Sequence, residues 1–95
     1  MHASVRTYRV LDVDALVERT QEGFVDRVKT IEGFVGYYLI DGGDGTVTSI
    51  TVCETEEAVE LSNVQAGRWV VEKASHLIEG APDVTAGDVR VCAER

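Results

Sequence analysis

Sulfur, proline, histidine and positive charge are all scarce in this sequence. Its 95 residues hold 2 Cys, 1 Pro and 2 His, and 9 Lys plus Arg against 17 Asp plus Glu, for a net charge of −8. Phosphate backbones and anionic bilayers attract Lys and Arg, so this balance excludes nucleic acid and membrane surfaces as expected partners. Cys53 and Cys92 lack CxxC or any other metal-ligand spacing, and two histidines cannot complete a metal set. No metal is expected. Each cysteine reads as a small buried hydrophobe with a reduced thiol, in a cytoplasmic protein. No run approaches the roughly 18 apolar residues of a membrane span. Arg6 and Arg9 interrupt the apolar alternation of the N-terminus, which is unlike a signal peptide.

What remains describes one domain, residues 1–95, with 44% hydrophobic residues. A chain of this length buries only about 60–65% of the surface it exposes when unfolded, which implies modest stability. Ala3 to Val10 is β-branched and aromatic and reads as a strand. Asp12 or Asp14 can cap a helix behind it. Val13, Leu16, Val17, Thr20, Phe24, Val28 and Ile31 then recur at helical spacing, opposite a charged face of Glu18, Arg19, Glu22, Asp26 and Lys29. Gly23 inside this helix marks a bend or the close approach of another backbone. Gly33 suits a left-handed helix end. Phe34–Ile40 and Thr46–Cys53 form a hairpin around Asp41-Gly42-Gly43-Asp44-Gly45.

Thr55 caps a second helix, with Glu56 and Glu57 in its first turn, and the helical pattern runs to about Ile78. Val59, Ala66, Val70 and Leu77 share a face, with Ala58 and Trp69 at its edge. Weak helix formers from Asn63 to Gly67 predict a kink or break. Pro82 closes the region, and Gly87 to Ala93 reads as the last strand. The order β-α-β-β-α-β predicts an α+β, ferredoxin-like fold: a four-stranded antiparallel sheet in the order 4-1-3-2 with both helices on one face. Cys53 and Cys92 then sit on strands that are not neighbours, which excludes a disulfide between them.

The other sheet face needs cover. Ile50 and Val52 lie on one side of strand three and Val47, Thr51 and Cys53 on the other. Val89, Val91 and Ala93 of the last strand share one side. Exposed apolar patches of this kind mark interfaces, and a symmetric homodimer packed sheet to sheet satisfies them.

Sites decide function within so widely used a topology. Paired cysteines for metal transfer are missing from the first loop, and strand three has no aromatics for stacking RNA bases. The loop Leu11-Asp12-Val13-Asp14 is acidic and glycine-free, so it cannot cradle a phosphate. The Gly42–Gly45 turn lacks Lys and opens no helix.

Three stretches carry a likeness: Tyr8-Arg9-Val10, Ile31-Glu32-Gly33-Phe34-Val35-Gly36-Tyr37-Tyr38, and Ile50-Thr51-Val52-Cys53-Glu54-Thr55-Glu56-Glu57-Ala58. Across nearly its whole length the chain resembles the antibiotic-biosynthesis-monooxygenase-like proteins of the dimeric α+β barrel superfamily. The resemblance implies a homodimer whose sheets close into a barrel, with a ligand cleft between sheet and helices in each subunit. It also implies one of three roles: cofactor-free oxygenation of polycyclic phenols, haem degradation, or no assigned activity. The haem-degrading branch uses an Asn on strand one, a Trp early in helix two and a His near its end. Here Arg6 or Thr7 replaces that Asn, Ser62 stands where the Trp belongs, Trp69 comes two turns late, and His76 fits only with an insertion. No cofactor is therefore expected.

The pocket candidates are Arg6, Tyr8, Tyr38, Ser62, Trp69 and His76. If Ser4, Tyr8 and Val10 face the helices, so does Arg6, and a buried guanidinium needs an acidic partner or an anionic ligand. Trp69 is either core or a stacking platform. His76 is either a general base or a helix C-terminal dipole partner. Tyr37 and Tyr38 point to opposite sheet faces, and one of them lines the cleft. Asn63 and Gln65 can meet a ligand at a helix break or face solvent. No Ser-His-Asp or Cys-His set is supported by local spacing. The expected function is a small internal cleft for a small apolar or aromatic ligand, and the alternative is a cofactor-independent monooxygenase on an aromatic polyketide-like substrate.

Overall fold

A computed structural model describes residues 1–95. Four strands, β1 (His2–Val10), β2 (Phe34–Asp41), β3 (Thr46–Cys53) and β4 (Ile78–Asp88), form one antiparallel sheet in the order β2-β3-β1-β4. Two helical stretches cover one face. The expected α+β, ferredoxin-like topology and strand order are those observed. No helix is long and apolar enough to cross a membrane.

The first helical stretch begins where Asp12 accepts a hydrogen bond from the Ala15 N–H at 3.0 Å. It runs through Val13–Arg19, widens into a π-helical turn over Thr20–Phe24, and returns to α-helix at Val25–Lys29. Leu16, Thr20, Phe24 and Val28 are its buried residues, Ile31 is buried just after it, and the expected charged face is exposed. Gly33 follows with φ +89°, the left-handed conformation that glycine reaches without strain.

The second helix starts at Thr55, whose hydroxyl accepts from the Ala58 N–H at 3.1 Å. It is continuous over Glu56–Trp69, so the break expected at Asn63–Gly67 is absent. Tertiary packing overrides local propensity there, because Ala58, Val59, Ser62, Ala66 and Trp69 are all buried against the sheet. The irregularity comes a turn later, as a π-helical turn over Val70–Ala74 and a short 3-10 turn over Ser75–Leu77.

The last strand is also displaced from expectation. It spans Ile78–Asp88, not Gly87–Ala93, and Val89, Val91 and Ala93 lie beyond it. Pro82 does not end the region but sits within the strand. Pairing jumps from Thr7↔Asp83 to Arg9↔Glu79, so Gly80, Ala81 and Pro82 form a bulge. β4 is a sheet edge, where a missing N–H and a bulge are tolerated. Cys53 is buried and Cys92 is exposed, and both are free thiols.

Alternation divides the sheet. Ser4, Arg6, Tyr8 and Val10 of β1 and Val47, Ser49, Thr51 and Cys53 of β3 are buried beneath the helices. The opposite face carries Val5, Ile50 and Val52, half-buried, and the exposed Tyr38 and Ile40.

The hairpin turn tests the packing of its glycines. Gly43 (φ +81°) and Gly45 (φ +75°) are both left-handed, but a Cβ on Gly45 would lie 3.0 Å from the Val10 carbonyl oxygen, whereas one on Gly43 meets nothing. Gly43→Ala should cost about 1 kcal/mol and Gly45→Ala about 2–3 kcal/mol, since the second adds a backbone clash to the same conformational strain. Urea denaturation of both variants checks this, and equal losses would show that the β1 end yields freely.

Candidate functional site

The centre of the covered sheet face is polar. The β1–β3 register sets Arg6 opposite Ser49 and Ser4 opposite Thr51, which brings four polar residues together under the helices. Arg6 is 2% exposed. One terminal nitrogen donates to the Asn63 Oδ1 at 2.7 Å. The other donates to the Thr51 hydroxyl at 2.7 Å and the Ser49 hydroxyl at 3.0 Å. The Ser4 hydroxyl donates to the same Asn63 oxygen at 2.6 Å. Arg6 Nε is buried without any hydrogen-bond partner. The guanidinium carbon stands 5.9 Å from the Phe24 ring centroid.

None of these partners is charged. The protein's one ion pair, Arg27 with Glu72, lies at the surface. A guanidinium keeps its proton in any protein environment, so a full positive charge is held here by hydroxyl and amide dipoles and the Phe24 ring, with no counter-ion.

The site has an aromatic side. Ser49 passes the contact on by donating to the Tyr37 phenol oxygen at 3.0 Å. The Phe24 ring meets Tyr37 edge-on at 5.3 Å between centroids and Trp69 at 5.6 Å. Tyr8, Phe24, Tyr37, Ser49, Ala66 and Trp69 are among the residues enclosing a cavity of about 20 Å³, room for about one water molecule. The space between sheet and helices is therefore filled by its own side chains.

Burial raises the Tyr8 pKa above the ordinary 10.0, and the adjacent Arg6 charge offsets only part of the rise. Burial raises that of Tyr37 too, against the Ser49 hydrogen bond and the Arg6 charge. At neutral pH both phenols are neutral hydrogen-bonding groups and neither is a base. The Cys53 thiol is likewise pushed up by burial and stays protonated.

Of the candidates, Tyr8 and Trp69 line this space, Arg6 adjoins it through its hydrogen bond to Ser49, and three others lie outside it. Tyr38 lies on the opposite sheet face, 61% exposed, and Tyr37 occupies the cleft in its place. His76 is exposed on the turn after the second helix. Ser62 is buried but bonds its own helix, donating to the Val59 carbonyl at 2.6 Å. Asn63, Ser49 and Thr51 complete the Arg6 network; Asn63 is expected at a helix break, facing a ligand or solvent, and Ser49 and Thr51 are not among the expected site residues. A signal for them existed. Asn63 stands four residues after Val59 and three before Ala66, on the sheet-facing side of an unbroken helix, and Ser49 and Thr51 alternate with Val47 and Cys53.

No protein-family model matches the sequence, and no curated protein matches it. Solved structures do. A protein of unknown function from Nitrosomonas europaea superposes with TM-score 0.80 at 11% identity, covering 99% of this chain and 93% of the other. A monooxygenase from the gene ActVA-Orf6 of Streptomyces coelicolor, solved with nanaomycin D, gives 0.76 at 22% identity over 99% and 91%. SnoaB, a cofactor-independent oxygenase from Streptomyces nogalater, gives 0.75 at 16% identity over 99% and 97%. The chain has the fold of antibiotic-biosynthesis monooxygenase-like proteins. At these identities the likeness establishes the fold alone.

The raised phenol pKa values make stability pH-dependent with a definite sign. Both folded values lie above the ordinary 10.0. Their contribution is fully present below pH 10.0 and is lost as pH rises through the folded values, because the unfolded chain releases those protons first. The denaturation midpoint should fall above pH 10.0, and less steeply in Tyr8→Phe and Tyr37→Phe. An unchanged slope in the double variant would assign the loss to other groups.

Proposed function

We propose that the protein is a single-domain homodimer that binds a small aromatic ligand between sheet and helices, with the Arg6 guanidinium anchoring an electron-rich oxygen of that ligand. The observation that carries this reading is the buried, unneutralised charge of Arg6, with one nitrogen unpartnered, beside a ring-lined cavity. A chain that needed only a filled core would be better served by an apolar residue there. The ring-lined space supplies stacking faces, and the neutral phenols of Tyr8 and Tyr37 supply polar contacts. Because the cavity holds about one water, binding requires one of its walls to move.

A second reading, cofactor-independent monooxygenation, is favoured by the shared fold with two oxygenases, one of them cofactor-independent. In that chemistry a substrate carbanion or phenolate passes electrons to dioxygen, a CH2 becomes C=O, and one water is released. The polar centre suits the anion, since Arg6 and its dipoles are preorganised for negative charge. A base is harder to find, because Tyr8 and Tyr37 are neutral phenols and His76 is on the outside. A substrate of this kind would therefore be one that ionises readily by itself.

One titration separates the readings. A hydroxynaphthoate, two-ringed and anionic at neutral pH, should quench the emission of Trp69, the protein's sole tryptophan, and Arg6→Met should weaken that binding by about tenfold, the loss of one charge-assisted contact. Oxygen uptake above the buffer rate, abolished by Arg6→Met, would establish the oxygenase. Quenching without uptake would leave a binding protein, and absence of both would reject the two together.

The dimer rests on the uncovered sheet face, where Val5, Ile50, Val52, Tyr38 and Ile40 form an apolar patch. Sedimentation should show two copies associated at micromolar concentration, and Ile50→Glu should separate them. A wild-type monomer would defeat this assembly.

A further inference from the structure

We propose that a cleft between the two helices, lined by Arg19, Glu22, Gly23, Arg27, Trp69 and Lys73, is the access port of the inner cavity, that Trp69 is its door, and that it admits an anionic aromatic ligand of one or two rings. The proposal rests on the ligand-binding reading above.

Trp69 belongs to both spaces. Its indole closes the inner cavity of about 20 Å³ and also walls an outer cleft of about 230 Å³. Displacing that one side chain joins the two. The inner space alone cannot hold an aromatic ring. The outer one is somewhat smaller than the roughly 300–1,000 Å³ of drug-sized sites, which sets the ligand at one or two rings.

The backbone is widened on both sides of this indole. The π-helical turn Thr20–Phe24 contains Gly23, and the π-helical turn Val70–Ala74 begins directly after Trp69. Such turns are rare and concentrate at functional sites. Gly23 leaves room for the closed position, since a Cβ there would stand 3.0 Å from Trp69 Nε1. A glycine in mid-helix is otherwise a local loss of stability. Here its missing side chain is what allows the door to shut.

The outer ties are of a kind that opens. Arg19 donates to the Lys73 carbonyl at 3.0 Å and Arg27 pairs with Glu72 at 3.3 Å. Both link the first helical stretch to the π-turn after Trp69, and both are solvated, where such contacts exchange readily.

Charge supplies the selectivity. In a chain of net charge −8, Arg19, Arg27 and Lys73 line this cleft with Glu22, and Glu72 neutralises Arg27 from its edge, so a net positive charge remains at the mouth. Beyond the door, behind Ser49 of the cavity wall, stands Arg6, buried and unneutralised. An anion is attracted at the mouth and again at the end of the path, whereas a cation is repelled at both.

The experiment is stopped-flow binding of a hydroxynaphthoate, anionic at neutral pH, and of naphthol, neutral there, followed by the ligand's own fluorescence. Trp69→Ala should bind hydroxynaphthoate about tenfold faster than wild type, a gating barrier removed. Gly23→Ala, which is helix-favouring and so keeps the fold, should shift the Trp69 emission to the red and also speed binding. Arg19→Glu with Lys73→Glu should slow hydroxynaphthoate by about tenfold, leave naphthol unchanged, and lose its effect in high salt. Equal rates across wild type and all these variants would overturn the port while leaving the ligand site standing. Naphthol slowed as much as hydroxynaphthoate would overturn the anion selectivity. No binding of either ligand to wild type or to any variant would overturn both the port and the ligand reading, and binding by wild type that Trp69→Ala loses would make the indole a wall of the site and overturn the door.

Discussion

A permanent charge in the middle of a central strand is the constraint around which this small protein is arranged. A guanidinium cannot neutralise itself by losing a proton, as a buried Lys can, so the field of Arg6 must be met by fixed dipoles. That requirement accounts for the composition of the covered sheet face. Tyr8 and Val10 at one end of β1 and Val47 and Cys53 at the two ends of β3 are apolar, while Ser4, Ser49 and Thr51 gather at the middle. It also sets the rotation of the second helix. The side-chain hydrogen bonds that helix makes to the sheet converge on Asn63 Oδ1, one from Ser4 and one from Arg6. A different helix rotation would leave the guanidinium with an open position and Asn63 in solvent.

The aromatic residues respond to the same charge. Phe24 offers a ring to the guanidinium, and Tyr37 and Trp69 pack against Phe24 in tilted and edge-on arrangements. This assembly fills most of the space that the helices bridge. The irregularities of both helices fall at its level, beside Gly23 on one and Trp69 on the other.

The element order was legible because its signals are local. The caps at Asp12 and Thr55, the glycine-rich hairpin turn and the alternation of β1 and β3 each depend on a few neighbouring residues. The errors arose where distant contacts decide. Asn63–Gly67 is poor helix sequence, yet burial of Ser62 and Ala66 holds it helical. Pro82 reads as a terminator until its own strand is known to be a sheet edge with a bulge. The inward turn of Arg6 followed from strand alternation. The choice of Tyr37 over Tyr38 did not, because it depends on the β2–β3 register, which slips between Phe34 and Gly36. The place of Asn63 beside Arg6 was not legible for the same reason as the unbroken helix: a residue assigned to a break has no defined face.

The chemistry open to such a site follows from what surrounds the charge. Burial holds Tyr8 and Tyr37 in their protonated forms, and Arg6 is a cation at every relevant pH. Groups of this kind accept no proton from a ligand, but they lower the energy of an anion placed among them. The site therefore favours ligands that arrive negative or become so without assistance, and it favours them by electrostatic preorganisation rather than proton transfer. The same property serves a binder of acidic aromatics and an oxygenase of readily ionised phenols. What divides the two is whether dioxygen can reach the bound anion, and so how far the ring-filled space opens when its walls move.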